Sequence, residues 1–247
     1  MHTKNTLYYR VVSFCGKKVL SLTEKVIGRY VEPLSVYNPQ TFAWVAGLEQ
    51  KCSNIRKEYN QIVIDKNMPD IREISEEQEI VVSPQFWRFF PLYLYGIPIQ
   101  ENLKSCPETA QLLKTIPGMT TAFFSVIRPG TFIQPHRGAF RGYLRYHLGV
   151  EVPDPNTACG IKILNEIYYW EQGKSLVFDD TFLHEAWNNA PTERVVLYVD
   201  FIRPMPRPLV IISQWLTRLI AGSPYIQNAL VKLGHIDSQK EVAELIG

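Results

Sequence analysis

The chain has 247 residues, 46% of them hydrophobic and 20% charged, which suffices for a sizeable core and describes an ordinary globular protein. Its 26 basic and 24 acidic residues leave a formal charge of +2, which is no nucleic-acid signature. It holds no run of about 18 uncharged apolar residues, and no secretory h-region with a small-residue cleavage site, so neither a membrane span nor export is expected.

Cys15, Cys52, Cys106 and Cys159 form no CxxC pair and no zinc spacing, and read as free thiols in a reducing compartment. The basic surplus collects at the two ends. Residues 1–36 carry Lys4, Arg10, Lys17, Lys18, Lys25 and Arg29 against Glu24 and Glu32. Within them, residues 8–31 place Val12, Cys15, Val19, Leu22, Val26 and Tyr30 at spacings of three and four. That spacing predicts an amphipathic helix with a basic polar face. It would either pack on the domain or lie on a partner or an anionic membrane surface.

Residues 37–204 are expected to form the main domain. Phe42, Val45, Leu48, Cys52 and Ile55 repeat at helical spacing and predict a helix over 40–60. Residues 66–84 are charged and unpatterned, as in an exposed loop. The aromatic-rich segment from Trp87 to Tyr95 predicts one or two strands ending at Gly96. Residues 107–118 predict a short helix, with Pro107 in its first turn and Gly118 just past its end.

From Met119 the apolar period becomes that of strands. One run stops at Pro129-Gly130. Others cover 141–150, 160–164, 167–170, 175–180 and 194–202, with turn residues such as Asp154-Pro155-Asn156 and Gln172-Gly173 between them. Many short strands with regular turns, and helices kept to the N-terminal side, predict a mainly β fold: a β-sandwich or jelly-roll core from about residue 85. Residues 205–247 form a C-terminal extension. Its stretch 208–233 is apolar, lightly basic and broken at Pro224, and predicts either a docked helical pair or a segment lying in an interface.

His136 and His184 carry the chemical interest. Strands far apart in sequence can lie side by side in a jelly roll, so these two imidazoles can converge on one ion, and imidazole suits Fe, Zn, Cu and Ni. The common non-haem iron site adds an acid two residues after the first histidine, but Gly138 stands there. Water or an acid from elsewhere would then complete the coordination. Asp180, four residues before His184, could do so through a water, or could simply cap a turn. Arg145 and His147 alternate onto one strand face with Tyr146 on the other, and Arg194 should point inward with Val196 and Tyr198. Inward cations are costly unless an anion pairs with them. Because the guanidinium fork matches a carboxylate, these arginines suit a small dicarboxylate such as 2-oxoglutarate. The alternative is internal ion pairing with Glu166, Asp179 or Asp200.

At RPGTFIQPHRG, LRYHLGVEVP, WEQGKSLVFDDTFLHEAWN and ERVVLYVDFIRP the chain resembles the aspartyl/asparaginyl β-hydroxylase family of iron(II)- and 2-oxoglutarate-dependent dioxygenases. The resemblance runs from about Phe86 to Pro204. It implies a double-stranded β-helix of the jelly-roll, cupin-like type, with His136 and His184 as the iron(II) ligands. It places Trp87, Ser125, Arg145, His147 and Arg194 at 2-oxoglutarate-binding positions. Ser125 and Arg194 would hold the far carboxylate, and Arg145 and His147 the end near the metal. The activity implied is hydroxylation of an unactivated C–H using O2, with ascorbate as supporting reductant.

Gly138 fits the peptidyl branch of that family, which lacks the carboxylate ligand. LRYHLG and the apolar, basic tail fit the branch acting on lipid acyl chains. The first expectation is a membrane lipid acyl chain, met by cytoplasmic protein in peripheral contact with the anionic inner face of the membrane. The second is an aspartyl or asparaginyl side chain in a peptide or free amino acid. A non-catalytic cupin-like binding module and a zinc protein are the other classes. Loss of an iron-ligating histidine or of Arg194 would mark the first, and neither is lost. Zinc sites usually show three or four protein ligands, and two are evident.

Overall fold

The structure is a computed structural model and describes residues 22–65, 68–71 and 86–233. Of the helix expected over 8–31, residues 22–31 fall within these; 22–27 are helical and 28–31 leave the helix in a turn and a bend. Most of the loop expected over 66–84 lies outside them.

Among the described residues, eleven strands form two antiparallel sheets. The seven-stranded sheet runs in the order β1 (Val36–Tyr37), β9 (Ser175–Phe178), β6 (Tyr143–Glu151), β11 (Arg194–Ile202), β4 (Met119–Ile127), β2 (Trp87–Leu94), β3 (Ile97–Pro98). The four-stranded sheet runs β5 (Thr131–His136), β10 (His184–Asn188), β7 (Cys159–Ile163), β8 (Glu166–Tyr169). Neighbours in space are distant in sequence, and consecutive strands such as β4 and β5 sit in different sheets. The fold is mainly β and of the jelly-roll kind.

The period of two along each large-sheet strand sorts the side chains into two layers. Phe90, Phe124, Tyr146, Val177 and Leu197 face outward and pack on α1 (Val45–Gln50), α2 (Cys52–Asp65) and α4 (Pro107–Leu113). Phe89, Phe123, Phe178, Val196 and Tyr198 face inward and meet Ile133, Ile161 and Ala186 of the small sheet. Helices therefore cover one face of the large sheet, and the small sheet covers the other. Between α1 and α2 the expected single helix over 40–60 breaks at Lys51, whose backbone leaves the helical region (φ −97°, ψ 8°). The break lets Val45 and Leu48 on one side and Ile55 on the other all reach the core.

The C-terminal stretch is a docked helical pair, α5 (Arg207–Ala221) and α6 (Pro224–Lys232), separated at Ser223-Pro224. Leu209 and Leu216 of α5 pack with Ile27, Phe140 and Tyr143. Ile226 and Leu230 of α6 pack on Ile97 and Ile99, next to the short α3 (Gln100–Lys104).

β5 and β10 are not among the strands expected from the sequence. TFIQPH is interrupted by Pro135, and HEAWN has few β-formers. Tertiary pairing makes them strands. Gly130, at φ 76°, turns the chain from β4 toward β5, and its N–H donates to the carbonyl of Asn188 at 2.7 Å.

Candidate active site

His136 ends β5 and His184 begins β10, and the two residues are direct cross-strand partners. Their ring centroids lie 4.2 Å apart. His136 Nδ1 contacts the carbonyl of Gln134 at 2.8 Å, and His184 Nδ1 that of Phe182 at 2.9 Å. A carbonyl can only accept, so Nδ1 carries the proton in both rings and each Nε2 keeps its lone pair. Burial, with His136 and Arg145 nearby, lowers the His184 pKa to about 3, and burial lowers that of His136. Two neutral imidazoles fixed in the metal-ligating tautomer fit a divalent cation. Among the described residues no third His, Cys, Asp or Glu completes a metal cluster with them.

The reason for the gap at position 138 is steric. The Gly138 N–H donates to the carbonyl of Asp180 at 2.7 Å. A Cβ at Gly138 would fall 2.0 Å from Asp180 Oδ2 and 2.2 Å from its Cγ. The Asp180 carboxylate thus occupies the space a side chain at 138 would need. Burial pushes its pKa up to about 6, opposed by the attraction of Arg145.

Arg145 sits across the sheet from Asp200 and Phe178. Its Nη2 meets Asp180 Oδ2 at 2.8 Å, and its Nε donates to Asp200 Oδ1 at 2.9 Å. Its cation lies 4.5 Å from the centroid of the Tyr198 ring, whose hydroxyl donates to Asp200 Oδ2 at 3.1 Å. Arg145 is therefore already neutralised by two carboxylates. Asp200 had appeared only as one alternative partner for the arginines, and Tyr198 only as an inward-facing residue.

The other end of the inner face is different. Arg194 is 2% exposed and lies against the indole of Trp170, 4.3 Å from cation to ring centroid. Its Nη1 donates to the carbonyl of Ser125 at 3.4 Å, the Cys159 thiol lies within hydrogen-bonding reach, and among the described residues its buried Nε has no partner. Among the described residues no carboxylate pairs with it. Burial alone lowers its pKa, to about 10, with Cys159 pulling the other way. Ser125 is buried and accepts from Trp87 Nε1 at 3.0 Å, which leaves its own hydroxyl proton to donate.

His147 lies between the two ends. Trp170 Nε1 donates to its Nδ1 at 3.2 Å, and its Nε2 is buried without a partner. Burial, then the charges of Arg194 and Arg145, hold its pKa well below the ordinary histidine value. The neutral ring accepting at Nδ1 must carry its proton on Nε2, so it offers an unused donor. A chain of rings joins the two ends: His184 to Phe178 at 5.8 Å, Phe178 to His147 at 5.2 Å, and His147 to Trp170 at 6.0 Å. The residues singled out in the sequence thus line one inner face and the small-sheet strands opposite it. Trp170, in the quoted segment WEQGK, was missed. A buried tryptophan N–H needs an acceptor, but the sequence does not say which one.

Paired imidazoles on neighbouring strands of one sheet thus stand with an unsatisfied cation on the sheet facing it, inside a jelly-roll fold. A family model of aspartyl/asparaginyl β-hydroxylases matches residues 49–204, and the chain belongs to that family. It is 37% identical over 196 residues to the ornithine lipid ester-linked acyl 2-hydroxylase of Rhizobium tropici, covering 79% of this chain and 70% of that protein. It is 33% identical over 173 residues to the human aspartyl/asparaginyl β-hydroxylase, covering 66% of this chain and 22% of that protein. Among solved structures it is similar to a Pseudomonas putida prolyl-4-hydroxylase, with TM-score 0.41 and 14% identity over 65% of this chain and 99% of the other.

Proposed function

We propose that the protein is an iron(II)- and 2-oxoglutarate-dependent dioxygenase that hydroxylates a lipid acyl chain at the carbon beside its ester carbonyl. The observation that carries this reading is the buried Arg194, whose Nε lacks a partner next to the equally unpartnered Nε2–H of His147. A buried cation with no counter-ion and a buried donor with no acceptor are both costly. One small dianion satisfies both.

The Nε2 atoms of His136 and His184 would hold iron(II). Arg194 and the Ser125 hydroxyl would hold the distal carboxylate of 2-oxoglutarate, with Trp87 fixing the serine oxygen. His147 Nε2–H would donate to the end nearer the metal. Arg145 would act there mainly by orienting Asp180, whose carboxylate faces Gly138 and would hold a water beside the two histidines. Bound iron and 2-oxoglutarate would supply the oxidising power: one O2 converts C–H to C–OH while 2-oxoglutarate leaves as succinate and CO2. Phe178 and Trp170 pack in the buried cluster on the inner face and would limit the access of water there.

The acyl-chain substrate rests on the similarity to the Rhizobium enzyme and on the apolar, cationic ends of this chain. The reading places the enzyme on the cytoplasmic side, where 2-oxoglutarate and iron(II) are available. The described cysteines, Cys52, Cys106 and Cys159, are free and buried, in keeping with reducing surroundings. No helix among the described residues is long and apolar enough to cross a membrane.

The test is succinate formation from 2-oxoglutarate under air with iron(II) and ascorbate, run with dispersed ester-linked lipid, with peptides or with neither. Iron-dependent turnover that rises with lipid and is lost in His184→Ala is expected. Turnover raised only by peptides or amino acids would transfer the substrate to the aspartyl/asparaginyl reading. No turnover and no bound iron would make the protein a binding module.

A further inference from the structure

α5 has two apolar faces, and only one is used by the fold. Leu209, Ser213, Leu216 and Thr217 are buried against the body of the protein. At about 100° per residue, the opposite arc carries Ile211, Ile212, Trp215 and Leu219. These are 54%, 39%, 58% and 52% exposed. Single exposed apolar side chains are ordinary; four on one helix arc form a patch. Arg207 and Arg218 are exposed along one edge of it, and α5 contains no acidic residue. The segment 22–30, which buries Ile27 in the same cluster as Leu209, also exposes Leu22 and Tyr30, at 65% and 64%, with Lys25 and Arg29 exposed and Glu24 half-buried.

We infer that the outer face of α5 seats the enzyme on an anionic lipid surface. An apolar stripe containing tryptophan, with arginines at its edge and no carboxylate, matches a helix lying in the headgroup boundary. The cationic edge favours anionic lipid over a neutral bilayer or an unlike protein surface.

The seat also bears on the site. The inner side of α5 holds Phe140 and Tyr143, and Tyr143 Oη lies 2.6 Å from Thr217 Oγ1. Phe140 belongs to the connection that leaves His136. One helix diameter, about 10–12 Å, therefore separates the lipid-facing arc from Phe140, which stands four residues beyond the candidate metal ligand His136. The carbon beside an ester carbonyl lies at the headgroup boundary, not in the bilayer centre. A site held this close to that boundary needs to lift only the start of the acyl chain. The inference deepens the lipid reading and rests on it.

The experiment is flotation of the full chain with phosphatidylcholine vesicles, with and without phosphatidylglycerol. It is paired with succinate formation on detergent-dispersed lipid. Wild type should float with the anionic vesicles and lose binding at high salt. The double variant Trp215→Ser/Leu219→Ser should bind roughly tenfold more weakly at unchanged Tm. Arg207→Gln/Arg218→Gln should bind roughly tenfold more weakly, with a flatter salt dependence.

Equal flotation of wild type and the serine variant would overturn the inference, as would wild type remaining at the bottom at low salt. A concentration-dependent dimer that the serine variant disperses would make the face an interface between copies, and would overturn it too. Lipid-stimulated succinate formation in detergent without vesicle binding would sink the seat and leave the lipid reading standing. Serine-sensitive vesicle binding with turnover raised only by peptides would support the seat and sink the lipid reading.

Discussion

Arg145 and Arg194 lie on the same inner face of the large sheet, one half-buried and the other buried, and their surroundings differ. Arg145 has Asp180 and Asp200 within 2.8 and 2.9 Å and a tyrosine ring beneath it. Arg194 has a carbonyl, an indole and a thiol, with no carboxylate among the described residues. One region is a closed ion network that the fold completes by itself. The other is a half-network that leaves its anion to be supplied. The contrast separates a cation that builds the site from a cation that awaits a ligand, although both looked alike as inward arginines.

The largest effect should come from opening the closed network. Arg145→Leu leaves Asp180 and Asp200 facing each other without a cation, and should cost about 3–5 kcal/mol of stability by denaturant unfolding. Arg194→Leu removes a buried charge that lacks a carboxylate, so its Tm should be unchanged or higher. The same variant should bind 2-oxoglutarate about 100-fold more weakly, measured as the loss of the 2-oxoglutarate-induced Tm shift. If both variants lose stability equally, the two regions do not differ in the way the geometry says.

A smaller effect probes the crowded end. Gly138→Ala puts a methyl where the Asp180 carboxylate lies and should destabilise by about 1–3 kcal/mol. Asp180→Ala should remove most of that cost, which a double-mutant cycle would show as coupling between the two positions. Additive costs would mean that Asp180 is not what excludes a side chain at 138.

The smallest effect sharpens the open end. Trp170→Phe keeps a ring beneath Arg194 but removes the N–H that fixes the His147 tautomer. KM for 2-oxoglutarate should rise roughly threefold to tenfold with kcat little changed. A drop in Tm with KM unmoved would reduce Trp170 to packing.

Much of the fold was legible because the large sheet keeps a period of two between its register shifts at Pro91/Tyr93, Val195/Val196 and Asp200/Phe201. Alternation in RGYLRYHLGV is enough to put Arg145 and His147 on one face and Tyr146 on the other, where it packs among the helices. The interruption at Pro224 and the helical spacing of Val45, Leu48 and Ile55 were readable from local signals of their own, a helix-breaking residue and a period of about 3.6 residues. The break at Lys51 was not, since a helical period continues through a kink. β5 and β10 were not either: they are short, one contains a proline, and their existence depends on each other and on β7.

The sequence by itself determined the mainly β class, the alternating faces and the identity of the polar residues that point into the sheet interior. Those follow from local periodicity and from the cost of burying charge. Tertiary structure decided the partners. It brought His136 opposite His184, gave Arg145 two carboxylates and Arg194 none among the described residues, and set Trp170 against both His147 and Arg194. It also filled the space at Gly138 with Asp180, and left one apolar arc of α5 exposed. Which groups meet depends on strand order and register across residues far apart in the chain, and a local pattern does not encode that.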